Sequence, residues 1–171
     1  MNERTGIITS RGKPLTLLGK EVKVGDKAPD FQTLTTDLAP FKLSSMRGKI
    51  CILSSVASLD TPLCDMETRR FNEEAARLEP DVTILTVSMD LPFAQKRWCG
   101  AAGVTRVQTL SDHREASFGL AYGVLIKESR LLARAVFVID KEGVIRYIQI
   151  VKDTSIEPDY AAVLNAVKKL A

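Results

Sequence analysis

The sequence predicts an α/β fold with a central mixed β-sheet flanked by helices. The first observation is a nearly continuous run of apolar and small residues at Lys49–Val56, which is typical of a strand buried on both faces of a sheet. The second is the alternation of helical and strand patterns after it, and the third is a pair of adjacent strand patterns near the C-terminus. The resulting order, β-α-β-α-ββ-α, is that of one α/β domain.

The segments before the buried strand predict an N-terminal β-hairpin and a connector. Residues 6–18 contain two strand patterns, Ile7–Ser10 and Leu15–Leu17, separated by a turn with glycine and proline. The segment Val24–Phe31 is rich in turn-forming residues, and a short extended piece follows near residues 41–43. We therefore expect the hairpin to precede the central sheet, with a loop that contains some strand between them.

A helix and a second strand follow the buried strand. Phe71, Ala75 and Leu78 recur at helical spacing, which predicts a helix with one apolar face. Pro80 closes this helix, since proline cannot continue it. Residues 82–87 are mostly β-branched and predict the next strand.

The sequence next predicts a short helix in the region of Cys99. Pro92 suits a first helical position, and the helix runs from it to Cys99. Gly100 and Gly103 are stop signals, so we expect Cys99 near the end of the helix or in the loop beyond it.

The C-terminal part predicts a hairpin and a last helix. Residues 135–139 and 144–150 flank a turn that ends in glycine, which indicates an antiparallel pair. The last helix begins near Pro158. Its expected apolar face consists of Tyr160, Val163, Leu164, Val167 and Leu170.

Length and composition describe one globular domain. The chain has 171 residues, of which 45% are hydrophobic and 26% are charged, and we expect residues 1–171 to form a single domain. A chain of this length buries about 70% of its extended surface on folding, so its core needs neither disulfide bonds nor a structural metal.

Charge and motifs argue against several function classes. The net charge is +3 and the basic residues are scattered, so we expect neither nucleic acid nor a membrane as a partner. The N-terminal residues lack the apolar region of a signal peptide, and we expect a cytoplasmic protein. The sequence lacks the motifs of serine hydrolases, P-loop nucleotidases and dinucleotide-binding enzymes.

Three cysteines make thiol chemistry the main question. An odd number in a chain that needs no cross-links argues for at least one functional or free thiol. Cys51 lies in the middle of the buried strand, and we interpret it as a core residue. Cys99 follows Cys64 by 35 positions, a spacing that does not by itself pair them. A zinc site lacks paired ligand spacings, and the single histidine, His113, is expected to be an exposed loop residue.

Cys64 lies just after the buried strand, where the next helix is predicted to begin. If Thr61 is the N-cap and Pro62 the first helical residue, unpaired backbone N–H groups and the helix dipole stabilise a thiolate at Cys64. The thiolate is the reactive form of cysteine. The neighbouring Asp65 opposes it, so a cation from elsewhere is required. The alternative is that Cys64 only fills space in the core.

An arginine stands in an otherwise apolar run near the C-terminus. Arg134 lies within Leu131–Val136, at the entry to a predicted strand. A buried arginine needs a partner that compensates its charge. The alternative is an arginine at the edge of the sheet whose guanidinium extends to water.

Five segments together point to one protein family. They are Gly12–Gly19, Val24–Phe31, Ser58–Cys64, Ser88–Gly100 and Leu131–Asp140. On these segments the chain resembles, over nearly its whole length, the thiol peroxidases, which are atypical two-cysteine peroxiredoxins with a thioredoxin-like fold. The run from Asp90 to Gly100 is the most specific to this family, whereas Thr-x-x-Cys is shared by peroxiredoxins in general.

The resemblance implies roles for four residues. It makes Cys64 the peroxidatic cysteine, Cys99 the resolving cysteine, Thr61 a hydrogen-bonding partner of the thiolate and the peroxide, and Arg134 the cation beside them. A Cys64 sulfenic acid then condenses with Cys99 to an intramolecular disulfide, which thioredoxin reduces. The resemblance further implies hydrogen peroxide and organic hydroperoxides as substrates and a homodimer as the assembly, and the cycle requires no metal or organic cofactor.

The disulfide predicts a conformational change, and two other functions stay open. A disulfide requires Cα atoms within about 7 Å, so we expect the first turn around Cys64 and the helix that carries Cys99 to unwind on oxidation. The other functions are a peroxide sensor or relay that passes oxidation to a client protein, and a thioredoxin-fold binding module with incidental thiols.

One position departs from the family pattern. Peroxiredoxins carry Pro-x-x-x-Thr-x-x-Cys, and the first position of that pattern is Ala57 in this chain. The family's proline shields the thiolate from water and shapes the loop. We therefore expect Ala57 to slow the reaction with peroxide.

Overall fold

The computed structural model describes residues 2–170, which contain ten β-strands and four α-helices. The strands are β1 (Glu3–Ser10), β2 (Lys13–Leu18), β3 (Gln32–Leu34), β4 (Pro40–Lys42), β5 (Ile50–Ser55), β6 (Val82–Ser88), β7 (Val107–Ser111), β8 (Leu125–Ile126), β9 (Ala135–Ile139) and β10 (Ile145–Ile150). The helices are α1 (Pro62–Ala75), α2 (Pro92–Ala102), α3 (Ser117–Ala121) and α4 (Tyr160–Lys168), and a 3-10 turn covers Leu43–Met46.

The main sheet is mixed, which confirms the predicted fold class. It has seven strands in the order β10-β9-β5-β6-β7-β3-β4. The strands β5, β6 and β7 are parallel to one another, and β9 pairs antiparallel with both β5 and β10. A smaller sheet joins β1, β2 and β8. All six residues of β5 are buried, in agreement with its continuous apolar pattern.

Two cores lie on opposite faces of the main sheet. Because side chains alternate along a strand, Ile50 and Ile52 of β5 face one core and Cys51 and Leu53 face the other. The first core includes residues of α1, α2 and α4. The second core contains a cluster of aromatic rings formed by Phe31, Phe118, Tyr122 and Phe137.

Two helices begin at prolines, as the sequence predicts. α1 starts at Pro62 after the N-cap Thr61 and ends at Ala75. The expected closure at Pro80, with Leu78 in the helix, is therefore wrong, because the N–H groups of residues 76–78 donate to carbonyls three residues back and form turns rather than α-helix. α2 starts at Pro92 and continues through Gly100 to Ala102. The expected stop at Gly100 is therefore wrong, because a glycine in the last turn lowers helix stability without breaking a hydrogen bond.

The second stop signal of α2 is confirmed. Gly103 caps the helix with φ of +68°, a left-handed conformation that costs a glycine no steric strain. Cys99 consequently lies in the last turn of the helix, and the backbone N–H of Gly103 donates to the Cys99 carbonyl.

Some elements differ from the sequence-based expectations. β1 begins at Glu3, and its register against β2 shifts between Arg4 and Ile8, so its first half has no regular strand pattern. No pattern predicts β7, α3 or β8, of which the last two have five and two residues. His113 is half-buried rather than exposed, since it directly follows the buried Ser111 and Asp112 at the end of β7. No helix among residues 2–170 is long and apolar enough to cross a membrane.

The end of the N-terminal hairpin approaches the backbone of α3 closely at Gly19. The Lys20 N–H donates to the Leu120 carbonyl at 2.9 Å, which brings the two backbones together. Gly19 has φ of +107°, and a Cβ at this position would lie 2.3 Å from the Leu120 carbonyl oxygen. The contact is with backbone atoms, so a side-chain rotation cannot relieve it.

Gly19→Ala is expected to lower the free energy of unfolding by roughly 3 kcal/mol, from backbone strain and overpacking together. Gly6→Ala is the matched control, because Gly6 also has positive φ (+75°) but a Cβ there would have no atom within 4 Å. We expect the control to cost only about 1 kcal/mol. Urea denaturation measures both, and equal losses would show that the approach to Leu120 is unimportant.

Candidate active site

Cys64 lies in the first turn of α1, at the end of the loop that leaves the carboxyl end of β5. Its side chain is fully buried, with 0% of its surface exposed. A cavity of about 820 Å³ lies next to it, and its wall includes Leu63, just before Cys64, and Met66, two residues after it. The residues of the α1 region that line this cavity are Ala57, Thr61, Pro62, Leu63 and Met66.

Arg134 is the cation next to this thiol. Its Nη1 lies 3.4 Å from Cys64 Sγ and donates to Glu67 Oε2 at 2.5 Å, while its Nη2 donates to the Thr154 carbonyl at 3.1 Å. The side chain of Arg134 is 5% exposed and that of Glu67 is fully buried. The alternative of an arginine that extends to water is therefore wrong, because the guanidinium is buried and paired with Glu67.

Glu67, which pairs with Arg134, is a functional candidate that sequence reasoning missed. Its Oε1 accepts a hydrogen bond from Ser54 Oγ of β5 at 3.1 Å, so both carboxylate oxygens have donors. A signal existed in the sequence. Glu67 follows Cys64 by three residues and precedes Phe71 by four, which places a carboxylate on the buried stripe of α1.

Burial and the neighbouring charges shift the pKa values of Glu67 and Arg134 in opposite directions. Burial raises the pKa of Glu67, and the Arg134 charge offsets part of that effect. For Arg134, burial lowers the pKa, but the charges of Cys64 and Glu67 outweigh it and raise the pKa above its ordinary value. The guanidinium consequently stays protonated beside the sulfur.

The negative charge of Asp65 does not act on Cys64 alone, as its position in the sequence suggested. Its Oδ1 accepts from Trp98 Nε1 at 2.8 Å, and its Oδ2 accepts from Arg69 Nε at 2.9 Å. The charge of Asp65 is thus paired with a cation of its own helix, and the carboxylate also ties α1 to α2.

Thr61 contributes its side chain to the cavity rather than to the helix cap. Its Oγ1 donates to the Ser58 carbonyl at 2.8 Å, and it makes no side-chain cap hydrogen bond. Because the hydroxyl hydrogen is used in this way, the oxygen presents lone pairs that can accept a hydrogen bond.

Cys99 opens on a different cavity from the one beside Cys64. It is half-buried in α2, and its Sγ lies 3.5 Å from Thr109 Oγ1. This smaller cavity, of about 200 Å³, is also lined by Thr35, Lys96 and Val104. Cys64, Thr61 and Arg134 are therefore brought together, and Cys99 is not part of that group.

Cys51 is a core residue, in agreement with the interpretation of its sequence position. It is 1% exposed, and burial raises the pKa of its thiol to about 11, against a smaller opposite effect of Lys49. All three cysteines are free thiols. Within residues 2–170, no group of three or more histidine, cysteine, aspartate or glutamate side chains could hold a metal ion.

Comparisons with known proteins agree with the fold and the site. The Redoxin family model matches residues 23–164. A thiol peroxidase from Halalkalibacterium halodurans is 56% identical over 161 residues, which cover 94% of this chain and 96% of the relative. A thiol peroxidase from Bacillus subtilis is 55% identical over 163 residues, which cover 95% and 97% of the two chains.

Solved structures show the same fold. The crystal structure of a peroxiredoxin-like protein from Aquifex aeolicus covers 100% of both chains with a TM-score of 0.91 and 43% identity. A thiol peroxidase from Chromobacterium violaceum, with a TM-score of 0.84 and 20% identity over 95% of each chain, shares the fold. The chain therefore belongs to the Redoxin family and, within it, to the thiol peroxidases.

Proposed function

We propose that this chain reduces hydrogen peroxide and organic hydroperoxides with Cys64 as the peroxidatic cysteine. The observation that carries the proposal is the 3.4 Å contact between Cys64 Sγ and the Nη1 of a buried, protonated arginine. A cation at this distance favours the thiolate, which is the nucleophilic form. The alternative in which Cys64 only fills core space does not account for a buried Arg134–Glu67 pair directed at its sulfur.

In the first step the Cys64 thiolate attacks the terminal oxygen of the peroxide. The sulfur–oxygen bond forms as the oxygen–oxygen bond breaks, and the electron pair leaves with the other oxygen. Protonation of that oxygen gives water or an alcohol, and Cys64 becomes a sulfenic acid. The charge that develops on the departing oxygen is stabilised by donors already fixed in place, which is how a preorganised site lowers the barrier.

Two groups beside Cys64 have hydrogen-bonding capacity left for the peroxide. Arg134 Nε is buried and has no hydrogen-bond partner among the described residues. The Thr61 oxygen can accept from the peroxide, because its own hydrogen is donated to Ser58. A hydroperoxide has at least one O–H donor and several lone pairs, which matches this combination of an acceptor and a cationic donor.

The cavity supports organic as well as inorganic peroxides. Its volume of about 820 Å³ is far larger than hydrogen peroxide requires and lies in the range of ordinary ligand pockets. Much of its wall is apolar and comes from the hairpin, α1 and the segment before β9: Leu15, Pro62, Leu63, Ile126, Leu131 and Leu132.

We propose Cys99 as the resolving cysteine and thioredoxin as the reductant. The Cys99 thiol condenses with the sulfenic acid, a disulfide forms and water leaves. Because Cys99 opens on a different cavity, the first turn of α1 and part of α2 must unwind for this step. Exchange with a thioredoxin dithiol then regenerates both thiols.

The assembly and the location are part of the same proposal. We propose that residues 1–171 act as a single domain in a cytoplasmic homodimer. The apolar side chains of Met66 and Leu131, which are 48% and 36% exposed at the cavity wall, supply surface that a second copy would cover. The odd number of cysteines, all free, suits a reducing compartment.

The test is peroxide consumption by the reduced protein with thioredoxin, thioredoxin reductase and NADPH. We expect sustained turnover for the native chain and for Cys51→Ser, no turnover for Cys64→Ser, and about one turnover for Cys99→Ser. A native chain that stops after one equivalent would indicate a peroxide sensor or another reductant. Turnover that survives in Cys64→Ser would contradict the proposal.

Glu67→Gln is expected to lower the second-order rate constant for peroxide by about tenfold or more, because a neutral amide no longer holds the Arg134 guanidinium against Cys64. Glu73→Gln is the matched control, since Glu73 is exposed on the same helix and loses the same charge. Stopped-flow oxidation of the reduced proteins gives both constants. Equal constants for Glu67→Gln and the native chain would show that Glu67 does not position the arginine.

Ala57→Pro is expected to raise the same rate constant by about threefold, through a stiffer loop and a thiolate better shielded from water. The Ala57 N–H makes no hydrogen bond within residues 2–170, so proline removes none. The native chain and Ala57→Pro are compared at equal pH and peroxide concentration. A second-order rate constant for peroxide that does not rise would contradict the expectation that Ala57 slows the enzyme.

A further inference from the structure

Asp90 connects the two segments that carry the reactive cysteines. Its carboxylate accepts three hydrogen bonds, from Ser58 Oγ at 2.7 Å, from the Leu59 N–H at 2.9 Å and from Ser88 Oγ at 2.7 Å. Its backbone carbonyl accepts a fourth from Ser111 Oγ at 2.5 Å. An aspartate with this many donors is held firmly in one position.

The partners of Asp90 show what it holds together. Ser58 and Leu59 form the loop that leads into the first turn of α1 and Cys64. Asp90 itself lies between β6 and the start of α2, which carries Cys99. A second bond joins the same two segments, since Trp98 Nε1 of α2 donates to Asp65 Oδ1 of α1 at 2.8 Å.

We propose that Asp90 is a positioning residue that keeps the Cys64 segment closed during peroxide reduction and sets how fast it opens toward Cys99. The proposal rests on the proposed two-cysteine cycle. The closed arrangement is the one in which Arg134 contacts Cys64. Opening separates Ser58 and Leu59 from Asp90, so each molecule must break those two hydrogen bonds before its disulfide can form.

Opening competes with a second oxidation. The sulfenic acid either condenses with the Cys99 thiol, with loss of water, or reacts with another peroxide. In the second reaction the sulfur gains one more oxygen and becomes a sulfinic acid, and the peroxide leaves as water or an alcohol. A segment that opens slowly favours the sulfinic acid, so Asp90 also determines how much peroxide the enzyme tolerates.

Asp90→Asn weakens this connection without a large change in shape. An asparagine has one carbonyl oxygen and no charge, so its NH₂ group replaces one acceptor oxygen and the hydrogen bonds lose their charge assistance. Loss of a charged hydrogen bond changes an opening equilibrium by about tenfold or more. As long as the closed form remains dominant, the oxidation of Cys64 should change by less than about twofold, while disulfide formation should accelerate by about tenfold.

The first measurement is amide hydrogen exchange in the reduced protein. The informative amides are those of Thr61 and Asp65, which donate to Ser58 and Thr61 and do not contact Asp90. We expect both to exchange about tenfold faster in Asp90→Asn. This measurement needs no peroxide, so it tests the connection even if the two-cysteine cycle is wrong.

The second measurement follows one turnover by quenched-flow mass spectrometry, which resolves sulfenic acid, disulfide and sulfinic acid. We expect faster disulfide formation and less sulfinic acid at high peroxide in Asp90→Asn. A merely structural role would instead slow both chemical steps together. Absence of a Cys64–Cys99 disulfide in the native chain would refute the cycle, whereas a disulfide step that is no faster in Asp90→Asn would refute the role of Asp90.

Two further variants complete the design. Asp81→Asn is the matched control, because Asp81 lies just before β6, at the end of that strand opposite Asp90, and its side chain is 39% exposed and pairs with Lys141. It should leave exchange and both chemical steps unchanged. Ser58→Ala removes one of the three donors and should accelerate the disulfide step by about threefold. If Asp90→Asn does not fold, Ser58→Ala tests the proposal in its place. Unchanged hydrogen exchange of the Thr61 and Asp65 amides in both variants would overturn the proposal.

Discussion

The buried ion pair between Arg134 and Glu67 is the constraint on which the rest of the site depends. Two charges removed from water are costly unless their geometry and remaining hydrogen bonds compensate. Here Ser54 of β5 and the Thr154 carbonyl satisfy the outer sides of the pair, so the central strand, α1 and the segment after β10 must all be in place. The arrangement leaves the guanidinium in contact with Cys64 Sγ.

The same rigidity that favours attack on a peroxide opposes the next step. Cys64 is fully buried and Cys99 opens on another cavity, so the folded site is arranged for the first reaction and not for the disulfide. Hydrogen bonds of Asp90 and Asp65 connect the segment that carries Cys64 to the segment that carries Cys99. In the proposed cycle, the strength of those hydrogen bonds sets how quickly the two segments can separate for the disulfide to form.

Much of the fold follows from local sequence signals, and the site follows only in part. The prolines at positions 62 and 92 predict both helix starts, because proline suits a first helical position wherever it occurs. Asp90 escapes notice because its role arises from contacts with residues distant in the chain, whereas Glu67 leaves a signal as a carboxylate on the buried stripe of α1. Arg134 stands out as a charge in an apolar run, but only the folded structure shows that it lies beside Cys64.

The most direct test of the two-cysteine mechanism is a peptide map of the reduced protein after one equivalent of peroxide, with all remaining thiols alkylated. We predict a single cross-link between the peptides that contain Cys64 and Cys99, with Cys51 alkylated in full. Alkylation of both Cys64 and Cys99, or a cross-link that includes Cys51, would contradict the mechanism.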